Sequence, residues 1–286
     1  MPYATNDDLR IHYEIEGSGK PLVLYHGLTG SGERWRDTGY VAGLRETYQL
    51  VLIDARGHGQ SDKPHDPAAY GRRRQAADVI AVLDDLGIQK TRFWGHSMGG
   101  DVALTLGLHC PGRVHSLIVT GYSPFAAAGD EAAEMAAWAD DLQGGMTGFV
   151  DGYERRHGVL PEDARARWLT NDGTALAACV ASMIAESDGR QVTDLPHIQA
   201  PVVFLVGTEE PFVEQAREAA TLLPKGSFVP LEGLDHVQTF FRSDLVLPQV
   251  RGFFADERCG TRTVQGRREP GRRSRERDWR ASPDVC

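Results

Sequence analysis

Six consecutive residues, Gly95-His96-Ser97-Met98-Gly99-Gly100, combine a nucleophile with the small neighbours it needs. They fit G-x-S-x-G, with a short apolar run before them at 92–94 and a helix-forming stretch after them at 98–108. A serine on such a strained turn is lifted above the end of a strand, open to a base on one side and to substrate on the other. Side chains at 95 and 99 would clash with backbone that must pass close by. The helix N-terminus that follows directs N–H groups toward developing negative charge. Ser97 is the candidate nucleophile; the bland alternative is a glycine-rich turn that happens to hold a serine.

A serine hydroxyl is a weak nucleophile at neutral pH and needs a base that a third group orients. Of the ten histidines, His236 stands out, because Gly233-Leu234-Asp235-His236 lies after the apolar run 227–231 and before the last helix-forming stretch. His12 alternates within a strand, and His26, His58 and His96 belong to other turns. His65, His109, His115, His157 and His197 sit in polar or terminal stretches. The acid is sought after the run 202–206, in Gly207-Thr208-Glu209-Glu210-Pro211. Glu210, three residues beyond the glycine, is the first choice, with Pro211 placed to start a helix; Glu209 is the alternative. Asp235 adjoins the histidine, but sequence neighbours rarely point so that one bonds the other's ring. All three positions fall just past the C-terminal end of a strand, where open sheets carry their sites. A second loop, Tyr25-His26-Gly27-Leu28-Thr29-Gly30, is either a plain connection or the source of an oxyanion donor. In the latter case the backbone N–H groups of Leu28 and Met98 hold the oxyanion, and their side chains are free to shape the pocket. The loop 54–62 reads as scaffold that braces these turns.

The elements that must position these residues follow from periodicity. Residues 9–15 alternate apolar and polar, as a half-buried strand does, and end in a tight turn at 16–19. The runs 22–25, 50–53, 92–94, 117–120 and 202–206 are apolar throughout, which suits strands covered on both faces and so a largely parallel sheet. Helices are expected at 72–86, 98–108, 214–223 and 245–254. Strand and helix in alternation mean an α/β fold. The region 124–196 breaks the pattern with amphipathic, Ala-rich stretches and no convincing strand, and reads as an inserted helical lid. The expected division is a core at 1–123 and 197–255, the lid at 124–196, and a basic, disordered tail at 256–286.

Length and composition bound the function. The chain has 286 residues, 41% hydrophobic and 25% charged, ordinary for a soluble enzyme-sized domain. Up to residue 255 it holds 22 Lys and Arg against 34 Asp and Glu, whereas the tail holds nine Arg against six acids. An acidic body repels phosphate backbones, so nucleic acid is not an expected partner. No stretch is long and apolar enough to span a bilayer, and the first residues lack the pattern of a secretion signal. The four cysteines show no metal-ligand spacing, and Cys110 and Cys179 read as buried apolar residues, which fits a reducing cytoplasmic setting. Neither a metal nor a cofactor is expected, and oligomeric state is not legible.

Together the motifs HGLTG (26–30), DARGHGQSD (54–62), GHSMGG (95–100), GTEEP (207–211) and GLDH (233–236) resemble those of α/β-hydrolase fold proteins, over about residues 3–254. The resemblance implies a mostly parallel twisted sheet flanked by helices, with Ser97 as nucleophile and His236 as general base and then acid. It also implies Leu28 and Met98 as oxyanion donors. Glu210 stands where most relatives carry Asp. Ser97 argues against the epoxide hydrolases and haloalkane dehalogenases of this fold, which carry Asp as nucleophile. The branch most resembled holds small serine esterases, lactonases and cofactor-free perhydrolases. The expected function is cleavage of a carboxylic ester, lactone or thioester of a small to medium apolar substrate through an acyl-enzyme. Alternatives are perhydrolysis or C–C bond hydrolysis by the same residues, or a ligand-binding receptor on the same fold. Phe125, Met135, Trp138, Met146 and Phe149 are candidates for substrate binding, with packing as the competing role for each.

Overall fold

Short apolar runs become the strands of one sheet because each can bury both of its faces. The computed structural model describes residues 2–259. Its strands are β1 Tyr3–Asn6, β2 Leu9–Glu16, β3 Lys20–Tyr25, β4 Tyr48–Ile53, β5 Thr91–His96, β6 Val114–Thr120, β7 Val202–Gly207 and β8 Gly226–Leu231. They join in the order β1-β2-β4-β3-β5-β6-β7-β8. The β1–β2 and β2–β4 pairs are antiparallel and the others parallel. The mostly parallel α/β sheet expected from the sequence is the one the chain forms. β1 escapes the sequence patterns because its four residues are too few to show an alternation.

Side chains alternate across the sheet, as a strand's two-residue period requires. Val23, Tyr25, Val51, Ile53, Phe93, Phe204 and Val206 enter one buried cluster. Their neighbours Leu22, Leu24, Leu50, Leu52, Trp94, Val203 and Leu205 enter another on the opposite face. The covering helices are α1 Arg34–Asp37, α2 Tyr40–Leu44, α3 Arg72–Asp85, α4 Met98–His109, α5 Gly129–Asp141, α6 Gly145–His157, α7 Glu162–Leu169, α8 Gly173–Glu186, α9 Arg190–Asp194, α10 Val213–Leu222, α11 His236–Phe241 and α12 Ser243–Cys259. α3 and α4 supply Val79, Leu83, Val102 and Leu106 to the first cluster, and α12 supplies Val246, Val250 and Phe254 to the second. Helices α5 to α9 fill the chain between β6 and β7, without a strand among the described residues. They carry a small core of their own: Leu142, Met146, Phe149, Leu176 and Val180.

Two expectations need adjusting. α12 continues to Cys259, past the 255/256 boundary drawn from composition, and the rest of the basic tail lies outside the described residues. Cys110 is buried in the first cluster, as expected, but is also disulfide-bonded. Spacing along the chain does not reveal which sulfurs meet in the fold. Cys179 keeps a free, buried thiol, and burial pushes its pKa up to about 12. Among the described residues no helix is long and apolar enough to cross a membrane.

The loop 54–62 braces its neighbours through buried charge. Asp54 accepts the Gly32 N–H at 2.7 Å, the Gln60 N–H at 2.8 Å and His12 Nδ1 at 2.9 Å. Arg56 Nη2 lies 2.6 Å from Asp78 Oδ1, with both side chains 0% exposed. Removing one member of such a pair leaves the other charge buried and uncompensated. Arg56→Met is therefore expected to cost about 3–5 kcal/mol, read as a lowered urea midpoint; an unchanged midpoint would show that Asp78 does not depend on this arginine.

Candidate active site

β3 has β4 on one side and β5 on the other, so the chain leaves the C-terminal ends of β3 and β5 in opposite directions. A crevice opens at such a switch point. Gly27 and Leu28 follow β3 there and Ser97 follows β5, while Glu210 follows β7 and His236 follows β8.

Ser97 takes φ 52° and ψ −116° at the N-cap of α4, a conformation that costs a non-glycine residue energy. The surroundings leave no alternative. A Cβ on Gly95 would fall 1.8 Å from the Gly99 carbonyl oxygen, and one on Gly99 would fall 2.5 Å from that of Tyr25. The Ser97 N–H donates to Thr120 O at 2.8 Å, which pins the turn to β6.

His236 Nε2 lies 3.1 Å from Ser97 Oγ, and Nδ1 lies 2.9 Å from Glu210 Oε2. An ionised carboxylate only accepts, so Nδ1 carries the ring proton and Nε2 offers a lone pair to the serine hydroxyl. Glu210 is fully buried, and its other oxygen accepts the Gly207 N–H and the Thr239 hydroxyl, each at 3.1 Å. Glu209 is exposed on the cavity wall and makes no hydrogen bond to His236, whereas Glu210 does. Thr239 was not foreseen, although it stands three residues after His236, the spacing that puts two residues on one helix face. Asp235 caps α11: it accepts the Gln238 N–H at 2.7 Å, while the Gln238 side chain accepts the Asp235 N–H at 3.1 Å. The helix therefore begins at His236 and fixes where its ring can reach.

Burial alone would lower the His236 pKa. The charge and hydrogen bond of Glu210, helped by Asp235 and Glu131, outweigh it and hold the pKa above 6.5. The His236 side chain is 39% exposed and lines the cavity, whereas Glu210 behind it is fully buried. His96 lies beside it, ring centroids 5.2 Å apart, and burial followed by the His236 charge keeps its pKa well below 6.5. Positive charge in the site thus collects on His236.

In the loop after β3, His26 Nε2 accepts the Ala55 N–H at 3.0 Å, so its Nδ1 is protonated and donates to the Gly27 carbonyl at 2.7 Å. That carbonyl also accepts the Gly30 N–H at 3.1 Å. Across a trans peptide the Leu28 N–H points the opposite way. A Cβ on Gly27 would lie 3.0 Å from the Ser97 Cβ, so this peptide sits against the serine. Met98 is the first residue of α4, where a helix leaves its N–H groups unpaired.

The serine and the imidazole open into a cavity of about 670 Å³, roofed by α5, α6 and α8. Phe125, Met135 and Trp138 line it, as does Met98. Met146 and Phe149 do not; they are 8% and 2% exposed and sit in the separate core that α6 and α8 share. Helical periodicity identifies apolar positions but not which of two apolar surfaces they meet. The Leu28 side chain packs against both the main core and the smaller core of α6 and α8. Among the described residues no group of His, Cys, Asp or Glu could hold a metal ion.

Residues 20–171 match the family described as alpha/beta hydrolase fold. A non-heme chloroperoxidase from Streptomyces lividans is 28% identical over 280 residues, covering 87% of this chain and 97% of that one. A protein from Azorhizobium caulinodans with a provisional carbamate hydrolase RutD name is 36% identical over 124 residues, covering 43% of this chain and 45% of its own length. The enol-lactonase from Burkholderia xenovorans LB400 superposes with a TM-score of 0.76 at 24% identity, covering 89% of this chain and 100% of that one, a likeness of fold.

The Glu210 contact sets a titration. By NMR, the His236 ring is expected to titrate above 6.5 and to fall in Glu210→Gln, because an uncharged partner no longer favours imidazolium. An unshifted pKa in the variant would contradict the assigned cause.

Proposed function

The chain belongs to the alpha/beta hydrolase fold family, and from that premise we propose that it is a serine hydrolase acting on carboxylic esters, lactones or thioesters. The observation that carries this reading is the unbroken contact from Glu210 through His236 to Ser97, facing a largely apolar cavity. His236 Nε2 takes the hydroxyl proton as Ser97 Oγ attacks the substrate carbonyl carbon. Glu210 does not move; it stabilises the imidazolium and keeps the ring aimed. The Leu28 and Met98 N–H groups hold the oxyanion, each worth about 10²–10³ in rate. As the tetrahedral intermediate collapses, the leaving oxygen or sulfur departs with the proton from His236. Water, deprotonated by the same nitrogen, then attacks the acyl carbon and releases the acid and Ser97. Helices α5 to α9 act as the lid that encloses this chemistry, and Phe125, Met135 and Trp138 contact the apolar part of the substrate.

A second reading draws on the likeness to the Streptomyces lividans chloroperoxidase. Hydrogen peroxide in place of water as acyl acceptor would give a peracid from the same acyl-enzyme, with no change of residues. Peracid formed from ester and peroxide, measured against hydrolysis, separates the two.

Ser97→Ala is expected to lower kcat/KM for p-nitrophenyl acetate by about 10³–10⁶-fold; a variant with normal turnover would overturn the assignment. Because the base must be neutral, kcat/KM should fall as pH drops through the His236 pKa, with a midpoint above 6.5 rather than at the unperturbed value. A rate flat through the acid range would contradict a histidine base.

A further inference from the structure

The cavity wall is mostly apolar, but its charged groups are nearly all carboxylates, and most of them are already engaged. Arg72 on α3 lies 3.2 Å from Glu186 and 3.5 Å from Asp101, so its charge is shared before any ligand arrives. Glu134 is taken by Arg156 at 3.0 Å and His157 at 2.9 Å, and Asp235 is the cap of α11. Three carboxylates on the wall, Asp130, Glu131 and Glu209, have no side-chain hydrogen bond or ion pair among the described residues. Asp130 and Glu209 are exposed, whereas Glu131 is half-buried. Burial raises the Glu131 pKa; the His236 charge opposes that rise and the Glu210 charge adds to it, which places Glu131 within electrostatic reach of the proposed catalytic pair. Among the described residues an anionic substrate would find no free cation on this wall and would meet repulsion. A cationic one would find a half-buried carboxylate with no ion pair among the described residues, on the wall of the cavity that Ser97 and His236 also line.

We propose that the substrates are esters bearing a cationic nitrogen, and that Glu131 is the residue that selects for that charge. This rests on the serine hydrolase reading above and adds to it the class of substrate. The competing role for Glu131 is local: it stands in the first turn of α5, where a carboxylate also complements the helix dipole.

The test compares acetylcholine with 3,3-dimethylbutyl acetate, which has the same shape without the charge, on the full-length wild-type chain and on Glu131→Gln. Wild type is expected to favour the cation by about tenfold in kcat/KM, the order of a charge–charge attraction in a partly solvated site, since a quaternary ammonium has no N–H to donate. In Glu131→Gln the ratio should fall to within about twofold of unity, and in wild type about 1 M salt should shrink it by screening. A wild-type ratio at or below unity overturns the proposal without any variant. So does an unchanged ratio in Glu131→Gln, including the case in which only its melting temperature drops, which would assign Glu131 to the helix end alone. Labelling by a fluorophosphonate keeps the two readings apart. Ser97 labelled, neutral ester cleaved and no cation preference sinks this inference only; Ser97 unlabelled sinks the hydrolase reading with it.

Discussion

A carboxylate without exposed surface must have both oxygens satisfied or lose its charge, and the site is arranged around meeting that demand for Glu210. Gly207 N–H and the Thr239 hydroxyl occupy one oxygen, which leaves the other for a single partner, His236 Nδ1. The imidazole is thereby fixed in tautomer and direction, with its free nitrogen on the serine. Glutamate reaches one methylene further than aspartate. The contact closes because the Gly207 N–H holds one carboxylate oxygen and α11, capped at Asp235, delivers Thr239 to that oxygen and His236 to the other.

The sheet makes this possible by placing four strand ends on one edge. Backbones crowd so closely at the end of β5 that only glycine fits at 95 and 99, and the energy of the strained Ser97 conformation is offset by that packing. His26 links the loop after β3 to the chain after β4, and Asp54 ties the same region to Gly32, Gln60 and His12. These buried polar residues do no chemistry in the proposed cycle. They hold the peptide before Leu28 against the serine, and rigid placement of donors is what an oxyanion site requires.

Much of this was legible in the sequence because it is local. Strand, turn and helix around Ser97 are adjacent in the chain, and so are the turns that carry Glu210 and His236. The apolar runs marked β3, β4 and β5 because those strands are buried on both faces. What could not be read depends on distant residues meeting. The choice between Glu210 and Glu209 turns on which one Gly207 and Thr239 hold. Met146 and Phe149 have the same apolar periodicity as Met135 and Trp138, yet enter the separate core of α6 and α8 instead of lining the cavity. The shift of His236 above 6.5 and the disulfide at Cys110 likewise arise only once the chain is folded.

The most direct test of the central claim is to trap the covalent intermediate. Rapid acid quench of an ester reaction, followed by proteolysis and mass spectrometry, should find the acyl group on the peptide containing Ser97, at close to one per chain. Turnover that proceeds with no acylated peptide, or with the acyl group on another residue, would show that the hydroxyl, imidazole and carboxylate do not act as the machine their contacts describe.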